Sequence, residues 1–299
     1  MTQKKSTTPK TTVKETVKKT SNSYFEEQEP GVKLEMEYTE HLMDTKSQFQ
    51  KVDVYKTKAF GNLLTLDGLV MTTERDEFFY HEMISHPSLF IHPNPEKVLI
   101  IGGGDGGTLR EVVKHKKVVE AHLCEIDEEV CNAAKAYFPT LSESFDHPKS
   151  KIFIEDGFAF LDNNKSAYQV ILVDSTDPIG EAAKLFEESF IKKVYDSLTE
   201  DGITVMQCEN PLYKLDVMEK MYFDMKKYFE YVYFYFVPIP TYPSGYWSFI
   251  MGSKIMHPVK DFRKKRWNNK DFNTVYYNKD IHKAAFALPE FVKNKLGLE

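Results

Sequence analysis

With 299 residues, the chain is long enough for one large domain and a smaller one around a substantial core. Its 41% hydrophobic, 28% charged and 14% aromatic residues fit a globular protein, and no apolar run approaches the roughly 18–20 residues that cross a bilayer. The net charge of −6 is uneven: six lysines and one glutamate in the first twenty residues leave a body of −11, which repels nucleic acid and draws cations, although an acidic surface also serves solubility alone.

Residues 1–23 are Lys/Thr/Ser-rich with almost no apolar content and are expected to form a disordered tail. They lack the apolar stretch of a signal peptide. Residues 24–75 have a β-like pattern. Phe49 to Lys56 alternates, Gly61-Asn62 and Asp67-Gly68 mark turns around Leu63–Leu66, and Val70–Thr73 resumes as a strand. This predicts a small antiparallel domain packed on the larger C-terminal part of the chain.

Residues 76–299 switch to strands alternating with helical stretches. Strands are expected at Val98–Ile101, Ala121–Ile126, Lys151–Glu155, Val170–Asp174 and Ile203–Gln207. Helices are expected at Thr108–Lys114, Glu128–Tyr137, Glu187–Leu198 and Leu215–Phe229, with closing strands at Tyr231–Val237 and Trp247–Gly252. The expected class is therefore α/β: a Rossmann-like, methyltransferase-type, mostly parallel sheet with helices on both faces, preceded by the small antiparallel β domain. Cys124, Cys131 and Cys208 form no CxxC pair, so they are expected to be reduced thiols of a cytoplasmic protein.

The first apolar strand runs into Gly102-Gly103-Gly104-Asp105-Gly106-Gly107, and a helical stretch begins at Thr108. Gly102, Gly104 and Gly107 satisfy G-x-G-x-x-G, which admits a dinucleotide site, an S-adenosylmethionine-type site or a structural turn. Glu125 at the next strand end suits two ribose hydroxyls, and Asp156-Gly157 closes the third strand where an adenine edge would lie. Asp105 opposes a pyrophosphate on the helix N-terminus but suits a cationic ligand group. It would repel the carboxylate of intact S-adenosylmethionine and attract the ammonium of the decarboxylated form.

Val170–Val173 delivers Asp174 and Asp177 to the carboxyl end of the sheet, where open α/β sheets bind ligands. Helix capping or a solvated turn is the alternative for either acid. A carboxylate there can orient a primary ammonium and take its proton during attack on a carbon beside a sulfonium, a reaction that needs no metal. His81 and His86 stand five residues apart, which separates them by about 140° on a helix and speaks against a shared metal.

These stretches, together with Glu74–Phe78, Tyr80–Met83, His92–Pro95, Leu109–Glu111, Pro240–Gly245 and Tyr276–Asn278, resemble the polyamine aminopropyltransferase family, specifically its spermidine synthases. The likeness runs from about residue 45 to the end. It implies aminopropyl transfer from decarboxylated S-adenosylmethionine, a co-substrate, to putrescine, giving spermidine and 5'-methylthioadenosine without a metal or other cofactor. Asp174 would be the general base, Asp105 the holder of the aminopropyl amine, Gln50 a further nucleoside contact, Glu125 the ribose acceptor and Asp156-Gly157 the adenine site. Tyr80, His81, Asp177, Gln207 and Tyr242 would line the putrescine channel, although Tyr80 could be core and Tyr242 a packing residue. The resemblance also implies a homodimer or homotetramer through the N-terminal β region, with small-molecule substrates and neither nucleic acid nor membrane as partner. The chain departs from the family at Glu181, where proline is frequent. The alternative is a methyltransferase on the same fold.

Overall fold

The structure is a computed structural model that describes residues 22–178 and 180–298. The expected tail, up to residue 21, and the side chain of Glu181 lie outside the described residues.

Five strands form the first sheet in simple meander order: β1 (Asn22–Glu29), β2 (Val32–Lys46), β3 (Lys51–Thr57), β4 (Gly61–Leu66) and β5 (Leu69–Thr73). Tight turns set the registers; Gly61 and Gly68 take φ of +72° and +83°, conformations that favour glycine. Val52, Val54, Leu64 and Leu66 bury against Val130, Ala133, Phe138 and Leu141 of the larger domain. A sheet of this size gains its stability from that apolar contact.

The second sheet has seven strands: β6 (Lys97–Gly102), β7 (Glu120–Glu125), β8 (Ser150–Ile154), β9 (Tyr168–Asp174), β10 (Leu198–Gln207), β11 (Tyr231–Pro238) and β12 (Tyr246–Ser253). Their order is β11-β12-β10-β9-β6-β7-β8, parallel from β8 to β10 and antiparallel at β12 and β11. The apolar runs of β6 and β9 alternate between the two faces of the sheet. Val98, Ile100, Val170 and Leu172 enter one core, while Leu99, Ile101, Ile171 and Val173 enter the other. This is the pattern of a central strand covered on both faces.

The covering helices are α1 (Glu77–Ile91), α2 (Gly107–Val113), α3 (Glu128–Tyr137), α4 (Pro139–Ser142), α5 (Gly157–Asp162), α6 (Glu188–Ser197), α7 (Leu215–Lys226), α8 (Asn269–Phe272), α9 (Lys279–Ala285) and α10 (Glu290–Leu296). The chain leaves β6 toward β7 on one side, while β9 pairs with β6 on the other, so β6 and β9 flank the switch point where such sheets open a ligand crevice. Gly102 and Asp174 stand opposite each other there.

Five elements carry no clear pattern in the sequence. Helix α1 is buried at every position from Tyr80 to Ile91, so it has no polar stripe, and Pro87 sits inside it. Strand β2 runs for 15 residues with mostly polar or charged side chains, few of them buried. The C-terminal helices α8 to α10 are short, between 4 and 7 residues. The segment before α9 is fixed by buried Glu82 of α1, whose carboxylate accepts from the N–H groups of Val275, Tyr276 and Tyr277 at 2.7, 2.9 and 2.6 Å. The Tyr276–Asn278 stretch thus serves the scaffold.

Candidate active site

At the switch point the glycine loop turns sharply because nothing larger fits. Gly102 has φ of +78°, and a Cβ there would stand 2.1 Å from the Asp174 carbonyl oxygen. The Gly103 N–H donates to that same oxygen at 2.9 Å, so the loop is laid directly on the end of β9. A Cβ at Gly104 would meet Glu125 Oε2 at 2.9 Å. In the actual loop the Gly104 N–H donates to that oxygen at 3.1 Å, and the Asp127 N–H donates to Oε1 at 2.9 Å. Burial raises the Glu125 carboxyl to about 7 against these bonds.

The resulting cleft has a volume of about 290 Å³ and is lined from both sheets. Its lining includes Gln50, Glu125, Asp156 and Gly157, the glycines Gly102 and Gly104, and the group Tyr80, His81, Asp105, Asp174, Asp177 and Tyr242. Gln50 donates from Nε2 to Asp127 Oδ2 at 2.9 Å, and Ser47 Oγ donates to the same oxygen at 2.7 Å. Asp127 also caps α3 by accepting from the Glu129 N–H. Asp156 caps α5 through the Phe158 N–H. Gln207 lines only a narrow extension beyond Tyr242. It is buried, donates to the Thr176 carbonyl at 3.1 Å, and accepts from the Glu209 N–H at 3.2 Å. Tyr242 is a packing residue as well as a wall: its hydroxyl donates to the Met71 carbonyl at 2.6 Å and its ring meets Trp247 edge-on. Tyr80 packs its ring against Phe249 and Tyr242 while still facing the cleft.

Three acids line this part of the cleft, Asp105, Asp174 and Asp177. Asp174 accepts from the Thr108 hydroxyl at 2.6 Å. Burial first, and the Asp105 charge second, raise its carboxyl above the ordinary range. Burial would raise Asp105 too, but the His81 imidazolium, with Nε2 at 3.2 Å, more than reverses this and holds it low. Burial lifts Asp177 to about 6 despite the opposing Lys214 ammonium. His86, on another face of α1, contacts His115 rather than the cleft.

Several residues of the site have no signature in the sequence. Thr108 is visible there only as the first hydroxyl of a helix. Glu26 sits in an acidic run with Glu27 and Glu29, yet it is turned inward: Glu26 is 6% exposed while neighbouring Phe25 is 60% exposed. Glu26 lines the extension together with Asp177, and burial raises it to about 7. Glu209 lies behind Gln207, where burial and the charge of Asp177 raise it to about 8. No apolar or polar alternation marks either residue. Among the described residues, one group of three potential metal ligands lies close together, His41, Asp44 and Asp53. None of the three lines this cleft, and the Lys51 ammonium already contacts both acids. Among the described residues no helix is long and apolar enough to cross a membrane.

Residues 77–263 match the spermine/spermidine synthase domain, and residues 23–74 match the spermidine synthase tetramerisation domain. The chain is 46% identical over 275 residues to a polyamine aminopropyltransferase of Alkaliphilus metalliredigens, covering 91% of this chain and 97% of that one. It is 48% identical over 255 residues to one from Clostridium kluyveri, covering 85% and 92%. A crystal structure of spermidine synthase in complex with the transition-state analogue AdoDATO superposes with a TM-score of 0.89 at 43% identity, covering 93% and 96%. The spermidine synthase of Thermotoga maritima superposes with a TM-score of 0.87 at 42% identity, covering 93% and 95%. The family match spans both sheets, the glycine turn and the acid-walled cleft, and the chain belongs to the spermine/spermidine synthase family of polyamine aminopropyltransferases.

Proposed function

We propose that the cleft transfers the aminopropyl group of decarboxylated S-adenosylmethionine to putrescine, releasing 5'-methylthioadenosine and spermidine, with Asp174 as the general base. The observation that carries this reading is the convergence of Asp105, Asp174 and Asp177 in the same cleft as Glu125 and Asp156. The relative crystallised with AdoDATO supports it.

In this reading Glu125 accepts from the ribose hydroxyls and Asp156-Gly157 meets the adenine edge, with Gln50 closing that end. Asp105 holds the donor's ammonium. The acceptor lies along Tyr80 and Tyr242 with one amine at Asp174 and the other toward Asp177, Glu26, Gln207 and Glu209. Its reacting nitrogen arrives protonated, since alkylamines titrate near roughly 10. Asp174 takes that proton, the nitrogen forms a bond to the aminopropyl carbon attached to sulfur, and the electron pair of that C–S bond returns to sulfur, leaving a neutral thioether. A carboxylate raised by burial is a better match for an amine proton than a solvated one. Much of the acceleration comes from holding two substrates in line. We also propose that the chain works as a homo-oligomer through its first sheet, in the cytoplasm, where three buried free thiols are stable.

The direct test is an acceptor panel of putrescine, cadaverine, agmatine and spermidine with decarboxylated S-adenosylmethionine, resolving products by chromatography. Putrescine should give the highest kcat/KM; a preference for spermidine would replace the acceptor, and methyl transfer from intact S-adenosylmethionine would replace the reaction.

A pH profile gives a second test. Glu26 near 7 and Asp177 near 6 must be ionised to attract an ammonium, and both are increasingly protonated as pH falls. Glu209, at the same end and raised to about 8, loses its charge first, so free-enzyme kcat/KM for putrescine should hold above about pH 8.5 and fall steadily from about 8 to below about 6, while the diamine stays dicationic. A level profile across that window would separate these acids from acceptor recognition.

A further inference from the structure

We infer that Glu77 and Arg110 are positioning residues for donor recognition: they hold the His81 ring so that its Nε2–H fixes the Asp105 carboxylate facing the donor's ammonium. The inference rests on the reading that Asp105 holds that ammonium.

The geometry is a chain of contacts running from the cleft into the protein. His81 Nε2 lies 3.2 Å from Asp105 Oδ2, and His81 Nδ1 lies 2.7 Å from Glu77 Oε2, one helical turn earlier on α1. Both partners are acceptors when ionised, so both ring nitrogens donate and the ring is an imidazolium. Arg110 of α2 grips Glu77 with two parallel bonds, Nη1 to Oε1 at 3.0 Å and Nη2 to Oε2 at 2.9 Å. Its Nε donates to fully buried Glu111 at 2.7 Å, and Lys114 donates to the other Glu111 oxygen at 2.6 Å. A planar guanidinium can make these contacts together; an ammonium cannot.

The His81 ring is also pinned from below. A Cβ at Gly107 would stand 2.2 Å from ring atoms Cε1 and Nδ1, so the third glycine of the motif is required by this imidazole and leaves no room for a side chain. Asp105 itself accepts from the Gly107 N–H at 2.8 Å through Oδ1 and from His81 through Oδ2. Each oxygen is thus held by one donor and keeps one lone pair for a ligand. With both ring nitrogens committed, His81 has no N–H left for a ligand carboxylate. The network is buried, with side-chain exposures of 3% for His81 and 11% for Glu77, so solvent does little to weaken it. Burial opposes the His81 charge, but Asp105 and Glu77 outweigh it and raise the ring well above its ordinary value. Glu77 is held low in turn: burial would raise it, and His81 and Arg110 reverse the effect.

The experiment measures calorimetric affinities for decarboxylated S-adenosylmethionine and for 5'-methylthioadenosine, which lacks the ammonium. Glu77→Gln, Arg110→Lys and Asp105→Asn are compared with the wild type on the full chain, with circular dichroism confirming the fold. Glu77→Gln and Arg110→Lys should each lose roughly ten- to a hundredfold in affinity for the amine-bearing donor, as expected for a misplaced contact group, with methylthioadenosine unchanged. Equal loss for both ligands would mean a scaffold role and overturn the inference, as would no loss for either. If Asp105→Asn loses donor affinity selectively while the other two variants do not, the inference alone fails. If Asp105→Asn also binds the donor normally, the reading of Asp105 fails with it.

Discussion

Asp174→Asn is expected to lower kcat by roughly 10²–10⁴-fold while leaving methylthioadenosine affinity close to that of the wild type. Asparagine keeps the size and can still accept from Thr108, whose hydroxyl donates to Asp174 Oδ2 at 2.6 Å. The backbone that lays the glycine loop on β9, the Gly103 N–H to the Asp174 carbonyl, is untouched by the change. What disappears is the ability to accept a proton from the incoming ammonium. Burial and the Asp105 charge, which raise the Asp174 carboxyl, then have no basic group to act on. Steady-state turnover with saturating substrates, paired with calorimetry on the product nucleoside, separates chemistry from binding. Turnover within about threefold of the wild type would remove Asp174 as the base.

Asp105→Asn is expected to erode the choice between decarboxylated and intact S-adenosylmethionine, and from both directions at once. A unit charge pair about 4 Å apart is worth about 4 kcal/mol at the effective dielectric of a partly open protein site, attractive for an ammonium and repulsive for a carboxylate. The neighbouring His81 imidazolium offsets part of that field, so the expected loss of donor affinity is smaller, roughly ten- to a hundredfold. Affinity for the intact, carboxylate-bearing compound should hold or rise. Methylthioadenosine, uncharged at that end, serves as the internal standard. A donor-to-intact ratio that stays at the wild-type value would show that the selectivity resides elsewhere in the cleft.

Much of the site is legible because the residues that carry it sit at strand ends. The apolar runs at Val98–Ile101 and Val170–Val173 read as central strands, so the residues at their carboxyl ends, Gly102 to Gly107 and Asp174 to Asp177, must face the crevice. Glu125 and Asp156 obey the same rule. Helix α1 escapes the pattern because burial on all sides erases the period on which recognition of a helix depends. Glu26 escapes because an inward carboxylate in a strand of glutamates has no distinguishing neighbour; only the fold tells it apart from Glu27. The same is true of Glu77 and Arg110, whose pairing joins helices 33 positions apart in the chain and leaves no local trace. Gln207 is expected in the channel; its amide braces the Thr176 carbonyl, and it lines the narrow extension of the cleft together with Glu26 and Asp177.

The apolar contact of Val52, Val54, Leu64 and Leu66 with Val130, Ala133, Phe138 and Leu141 has a consequence for how the protein responds to damage. The cleft is lined from both sheets, so the packing that joins them sets the spacing of its two walls. A methylene lost from that contact, remote from any reacting atom, would surface as weaker capture of both substrates with the chemical step intact.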